Sequence, residues 1–151
     1  MNHIQHINSP FGTITIVANE DALLEIHLDK RNKATDGNKI TKQAAAELAE
    51  YFAGKRREFS VPIAPSGTDF QMSVWRGLRK IPYGKTISYQ RLAANIGRAK
   101  ACRAVGNANG KNTIPIIIPC HRVIAANGTI GGFSSGLCHK TTLLKIEGLD
   151  F

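Results

Sequence analysis

The stretch "SYQRLAANIGRAKACRAVGNANG", residues 88–110, decides the fold of the half of the chain in which it lies. Ser88 is a residue type that caps helix N-termini, and the short helical pattern after it stops around Gly97. A second helix, "AKACRAVGNANG", follows after only a few residues, and two short helices joined by a tight glycine turn read as a helix-turn-helix. Helical hairpins also serve as plain scaffolding, so the composition of the second helix carries weight. Apart from Arg103 and Asn107, Ala101–Ala108 consists of Ala, Cys, Val and Gly, and Gly106 near its middle costs about 1 kcal/mol of helix propensity. Small residues let a helix backbone come close to a neighbouring helix or to a nucleic-acid groove. A single arginine on so smooth a face fits the groove, with one probing side chain.

Outward from this core, "TDFQMSVWRGLRKI" (68–81) predicts a helix capped by Thr68, with Phe70, Val74 and Leu78 spaced by four and Trp75 beside them as core. Pro82, Gly84 and Lys85 form a turn. Residues 55–68, with two prolines and "PSGT", read as a linker. Before it, "TKQAAAELAEYFAG" predicts a helix with Thr41 as N-cap and Gly54 as stop. "HIQHIN", "TITIVA" and "LLEIHL" read as three strands of an antiparallel meander, followed by a polar loop over 29–40.

Charge divides the chain at the same place. Residues 1–70 hold eight Lys/Arg against nine Asp/Glu, whereas residues 71–151 hold twelve against two, and no carboxylate lies between Gln71 and Ile146. A basic protein kept soluble by its charge would spread the excess over both halves. Single-sign charge confined to one half costs self-repulsion and suits a polyanion whose counterions are released on binding. Nucleic acid is therefore the expected partner and a membrane is not, since the longest apolar run, Ile114–Pro119, is too short to span a bilayer. The N-terminus lacks the basic start and apolar stretch of a secretory signal, which predicts a cytoplasmic protein. Three cysteines (Cys102, Cys120, Cys138) with no CxxC pair, and five scattered histidines, argue against a disulfide framework and against a metal.

"IIIPCHRVIAANG", residues 116–128, places Cys120 after an apolar run that reads as a buried strand ended by Pro119. A free cysteine is ordinarily a small buried hydrophobe. As a nucleophile it needs the thiolate, and so a base or positive charge nearby, which His121, Arg122 and the carboxylate-free half supply.

"PCHRVI" at 119–124, with "RAVGNANGKNTIPIII" before it and "NGTIGGFSSGLCHK" after it, resembles the O6-alkylguanine-DNA alkyltransferases, or methylated-DNA-protein-cysteine methyltransferases. The likeness is dense from Phe70 to Gly148 and weaker over the first 65 residues, where "SPFGTITIVA" and the Ala-rich helix carry it. It implies an α/β (α+β) chain: a ribonuclease H-like N-terminal domain over 1–65, then a winged-helix-like DNA-binding and catalytic domain with a helix-turn-helix over 66–151. It further implies a single-turnover reaction without cofactor, in which the alkyl group of O6-alkylguanine, and also of O4-alkylthymine, in double-stranded DNA moves to Cys120. A thioether product has no good leaving group, so the protein is consumed.

Residue roles follow from the resemblance. His121 would take the thiol proton through a water, Glu147 would orient the imidazole in a triad-like arrangement, and Asn112 would brace the loop before the tetrad. Tyr89 would donate a hydrogen bond to the base and assist the leaving guanine. Ser134 and the backbone around Cys120 and Val123 would read the base edge, and Lys140 would lie near the guanine oxygen. Because the alkyl carbon is unreachable inside a duplex, the nucleotide must swing out. Arg103 would fill the vacated stack while Ala104, Gly106 and Asn107 on the same helix, with Ala108, meet the minor groove. A monomer in solution is expected, with clustering along DNA left open. Thr113 stands where the family often has proline and Ser135 where glycine is frequent, and the resemblance assigns no role to Cys102 or Cys138. Two rivals fit less well: a non-catalytic damage-binding relative would lack Cys120, and a Cys-His hydrolase would turn over repeatedly.

Overall fold

The computed structural model describes residues 2–132 and 136–151 and divides into two compact units, Met1–Ser66 and Gly67–Phe151. In the first unit three strands, β1 (His3–Ser9), β2 (Gly12–Ala18) and β3 (Leu23–His27), form an antiparallel meander in sequence order. The Ser9↔Gly12 pair closes the first hairpin, and Gly12 takes a φ of +94°, which a side chain would resist. Ile14 to Ala18 of the central strand are all buried. The helix α1 (Lys39–Phe52) contributes Ala44, Leu48 and Tyr51 to the same core, spaced as one helical face.

This helix starts earlier than the sequence predicts. Asn38 is the N-cap and Thr41 is the third helical residue; the two side chains cap each other's backbone N–H reciprocally. Both are capping residue types, so composition did not separate them. The expected linker also has structure of its own. Leu23 N–H donates to Pro62 O (2.8 Å) and Ala64 N–H to Leu23 O (2.8 Å), so the segment lies along β3. Buried Glu47 fastens it further by accepting from the N–H groups of Ser60 (2.8 Å) and Val61 (3.1 Å) and from the Gln43 amide (2.9 Å). Those donors compensate the burial of its charge.

In the second unit α2 (Asp69–Leu78) begins at the Thr68 cap, which forms a capping box with Gln71. Its buried face is Val74, Trp75 and Leu78. After a short connector come β4 (Ile87–Ser88), α3 (Tyr89–Asn95), whose Ser88 cap accepts Arg91 N–H, and α4 (Cys102–Gly110). Gly97, with φ +76°, makes the turn between α3 and α4. Gly77 sits where α2 meets α3: a Cβ there would lie 2.7 Å from Ile96 Cγ2, so no larger residue permits this approach. Trp75 Nε1 donates to Ala108 O at 2.9 Å and ties α2 to α4. The parallel pair of β4 with β5 (Val123–Ile124) and the closing helix α5 (Leu137–Ile146) complete the unit.

The run before Cys120 is not a strand. Ile118 N–H donates to Ile114 O (2.9 Å), Ile116 takes a left-handed φ of +77°, and Cys120–Arg122 form a 3-10 turn. A β-branched residue at that φ stores strain of roughly 1–3 kcal/mol. The burial of Ile114, Ile116, Ile117 and Ile118 holds the turn in place. No helix among the described residues is long and apolar enough to cross a membrane.

Candidate active site

Cys120 opens the 3-10 turn and is 4% exposed. Two asparagines fix its backbone: Asn112 Nδ2 donates to Ile118 O (2.7 Å) while its Oδ1 accepts Ile114 N–H (3.0 Å), and Asn109 Nδ2 reaches Cys120 O (3.4 Å). Burial pushes the Cys120 thiol up to about 11, against the opposing pull of the Asn112 side chain and the nearby Lys140 ammonium. The resting sulfur is therefore a thiol, not the thiolate that adjacent basic residues suggest. Arg122 does not supply that charge, because its guanidinium is engaged elsewhere.

Arg122 Nε and Nη2 clasp both oxygens of Glu147, at 2.9 and 3.1 Å, and Nη1 donates to Ile81 O (2.6 Å). Glu147, the residue that follows α5, also accepts Gly84 N–H on Oε1 (2.9 Å), and its Oε2 lies 2.6 Å from His121 Nε2. Burial alone would raise the Glu147 carboxyl, but the bonds from His121, Arg122 and Gly84 outweigh it and bring it down to about 2. For His121, wholly buried, burial wins over the attraction of Glu147 and lowers its pKa, so the ring is neutral. A neutral imidazole beside an ionised carboxylate donates its Nε2–H to it and keeps the basic lone pair on Nδ1.

Lys140, from the first half of α5, is fully buried, with Nζ donating to Val123 O (2.6 Å) and Gly132 O (3.0 Å). Burial lowers its pKa to about 8, opposed by Cys120. Gly132 O also accepts the Tyr89 hydroxyl (3.3 Å), and the Lys140 ammonium stands 5.9 Å from the Tyr89 ring centre. Burial, then the nearby Cys120 and Cys102, raises the Tyr89 phenol, which keeps it a proton donor. Val123, paired with Ile87, presents a carbonyl already used by Lys140. Ser134 lies outside the described residues, as do Phe133 and Ser135.

The structure thus brings Asn112, Tyr89 and Lys140 near Cys120, with Val123 bonded to Lys140, and joins His121, the next residue in the chain, to Glu147. On α4, Arg103, Ala104 and Asn107 are exposed, and Gly106 is half-buried against Tyr89, where an added Cβ would sit 3.8 Å from the ring. Ala108 departs from the expected smooth face: it is 3% exposed and packs inward, its carbonyl taken by Trp75. Sequence reasoning gave no part to Asn109, Tyr83, Gly84 or the Ile81 carbonyl, whose roles depend on backbone groups and on contacts remote in sequence. Among the described residues no group of three or more His, Cys, Asp or Glu is placed to hold a metal ion.

Two family models match. "6-O-methylguanine DNA methyltransferase, DNA binding domain" covers residues 69–149, and "6-O-methylguanine DNA methyltransferase, ribonuclease-like domain" covers residues 3–65. The chain is 46% identical over 147 residues to a methylated-DNA--protein-cysteine methyltransferase of Methanosarcina acetivorans, spanning 93% of this chain and 94% of that one. It is 39% identical over 162 residues to the constitutive methylated-DNA--protein-cysteine methyltransferase of Bacillus subtilis, spanning 100% and 98%. Among solved structures it is similar to the Mycobacterium tuberculosis OGT in complex with DNA, with a TM-score of 0.89, 42% identity and coverage of 96% and 92%. Matched by both models and by near full-length relatives, the chain belongs to the methylated-DNA-protein-cysteine methyltransferase family.

Proposed function

We propose that this protein is a methylated-DNA-[protein]-cysteine S-methyltransferase that repairs O6-alkylguanine, and secondarily O4-alkylthymine, by taking the alkyl group onto Cys120 in one irreversible turnover. The observation that carries the reading is the buried thiol of Cys120, on a backbone braced by Asn112 and followed in the chain by a buried histidine whose Nε2 lies 2.6 Å from the buried Glu147 carboxylate. Ionising a thiol with a pKa of about 11 near neutral pH costs roughly 5 kcal/mol, so a base must take the proton as the reaction proceeds. His121 Nδ1 accepts it, through a water. The sulfur then forms a bond to the alkyl carbon, the carbon–oxygen bond breaks, and its electron pair leaves with the guanine oxygen. Hydrogen bonds from Tyr89 and Lys140 stabilise that leaving base until it is protonated. Both donors are held on Gly132 O in the structure and exchange that partner for the base.

DNA is the macromolecular partner. Arg103, Ala104 and Asn107, on the exposed face of α4, meet the minor groove, with Arg103 occupying the gap left by the flipped nucleotide and Gly106 allowing close approach. Ser134 and the Val123 backbone read the base edge. The ribonuclease-like domain occupies residues 1–65 and the DNA-binding and catalytic domain residues 66–151, and the protein works in the cytoplasm as a monomer.

The test is to mix the protein with an equimolar O6-methylguanine duplex and map the cysteines by mass spectrometry. One methyl group on Cys120, with Cys102 and Cys138 unmodified and no second turnover, is expected. Repeated turnover, or an unmodified Cys120, would falsify the reading.

A further inference from the structure

Glu147 has two cationic claimants, and only one of them is always charged. The Arg122 guanidinium grips both carboxylate oxygens while the His121 ring touches one of them. The same guanidinium donates to Ile81 O and lies 5.7 Å from the Tyr83 ring centre, whose hydroxyl donates to Ile146 O (3.1 Å). Arg122 is thus fixed by the connector between α2 and β4 on one side and by the end of α5 on the other. Its side chain is 8% exposed and that of Glu147 fully buried, so water contributes little to balancing their charges.

We infer that Arg122 is the positioning residue that keeps His121 neutral: by serving as the counter-ion of Glu147 it fixes the imidazole as the Nε2–H tautomer, with Nδ1 as the nitrogen that accepts the thiol proton. This rests on the function proposed above.

The charge balance of the cluster supports it. Facing His121 are Arg122 of the 3-10 turn, Lys140 of α5, and Glu147; Tyr83 flanks Arg122 from the connector, Tyr89 of α3 faces Cys120, and the buried face of α2 is apolar. With Arg122 and Lys140 both cationic and Glu147 the one carboxylate, a protonated imidazole would add a further positive charge to a water-poor interior. Without the guanidinium the balance reverses. Glu147 and His121 then pair as carboxylate and imidazolium, and an imidazolium has no lone pair with which to take a proton from sulfur. Here the resting thiol is unionised, so the base must be present from the start.

The experiment uses the full chain and its Arg122→Gln and Arg122→Lys variants. Histidine 15N NMR across pH, on the DNA-free protein, reads the His121 tautomer. Single-turnover methyl transfer to an O6-methylguanine duplex reads the rate across the same range. In the native chain His121 is expected as the neutral Nε2–H form near neutral pH. In Arg122→Gln it becomes imidazolium, and transfer falls at least about tenfold near neutral pH but recovers as pH rises and the ring deprotonates. Arg122→Lys keeps the charge without the fork, so His121 stays neutral and the rate stays within a few-fold of native. A neutral His121 in folded Arg122→Gln, or a rate loss equal at every pH, overturns the inference. If Arg122→Gln does not fold, Arg122→Lys decides, because an imidazolium there overturns it equally. Failure of the native chain to transfer methyl would sink the proposed function instead, while the histidine spectra still report on Arg122.

Discussion

At the scale of single residues the chemistry is set by what burial does to each titratable group. Glu147 is held down at about 2, well below its ordinary 4.5, so its ionised form is favoured in the folded state. Such a group contributes stability above its unfolded pKa and loses it as pH falls towards the folded value. Acid unfolding is therefore expected to steepen between pH about 4.5 and about 2, with this carboxylate alone worth roughly 3 kcal/mol. Glu147→Gln removes that pH dependence and leaves the Arg122 guanidinium buried without its counter-ion. A loss of about 3–5 kcal/mol in urea unfolding near neutral pH is expected, and a loss under 1 kcal/mol would show the pair to be dispensable. Glu147 stood out in the sequence as the first acidic residue after a long carboxylate-free stretch, but an orienting role for it was visible only through the family resemblance. Its partnership with Arg122 was not, because a guanidinium next to a cysteine is equally consistent with activating the sulfur.

At the scale of elements the helices were the legible part. Thr68 and Ser88 cap α2 and α3 as their side chains predict, since a capping hydroxyl acts on residues two or three places away and needs no tertiary information. The start of α1 moved to Asn38 because two capping residues three apart formed a reciprocal box. The isoleucine run failed as a strand for a different reason. An apolar run fixes burial, not backbone direction. Packing on all sides of Ile114, Ile116 and Ile118 then imposes a tight turn that aims Cys120 into the site. In α4 the glycine at 106 separates stability from recognition. Its backbone is helical and a methyl group would make only ordinary contact with Tyr89, so Gly106→Ala should stabilise the fold by about 0.5–1 kcal/mol. The same methyl would hold α4 away from a groove. A raised Tm with DNA affinity reduced several-fold is expected from thermal melts and anisotropy titrations; unchanged affinity would remove Gly106 from the DNA-facing surface.

At the scale of the whole molecule the charge distribution governs binding. Residues 71–151 carry twelve basic side chains against two acidic ones, so association with DNA is expected to be dominated by phosphate contacts. Four such contacts would lower the affinity roughly a hundredfold between about 50 and about 200 mM salt, with little dependence on sequence. A titration series that is flat in salt would contradict this. The same basic residues leave Glu147 as the one carboxylate available to a buried histidine and arginine together, which links the long-range field to the chemistry of the site.

By itself the sequence determined the capped helices, the meander and the basic half, which follow from side-chain type and short spacing along the chain, and it marked the Cys120 sulfur as the candidate nucleophile. Only the tertiary structure decided the protonation of that sulfur, the turn that presents it and the counter-ion of Glu147. Those depend on which groups lose water together, and residues as far apart as 84, 122 and 147 meet only once the chain has closed around them.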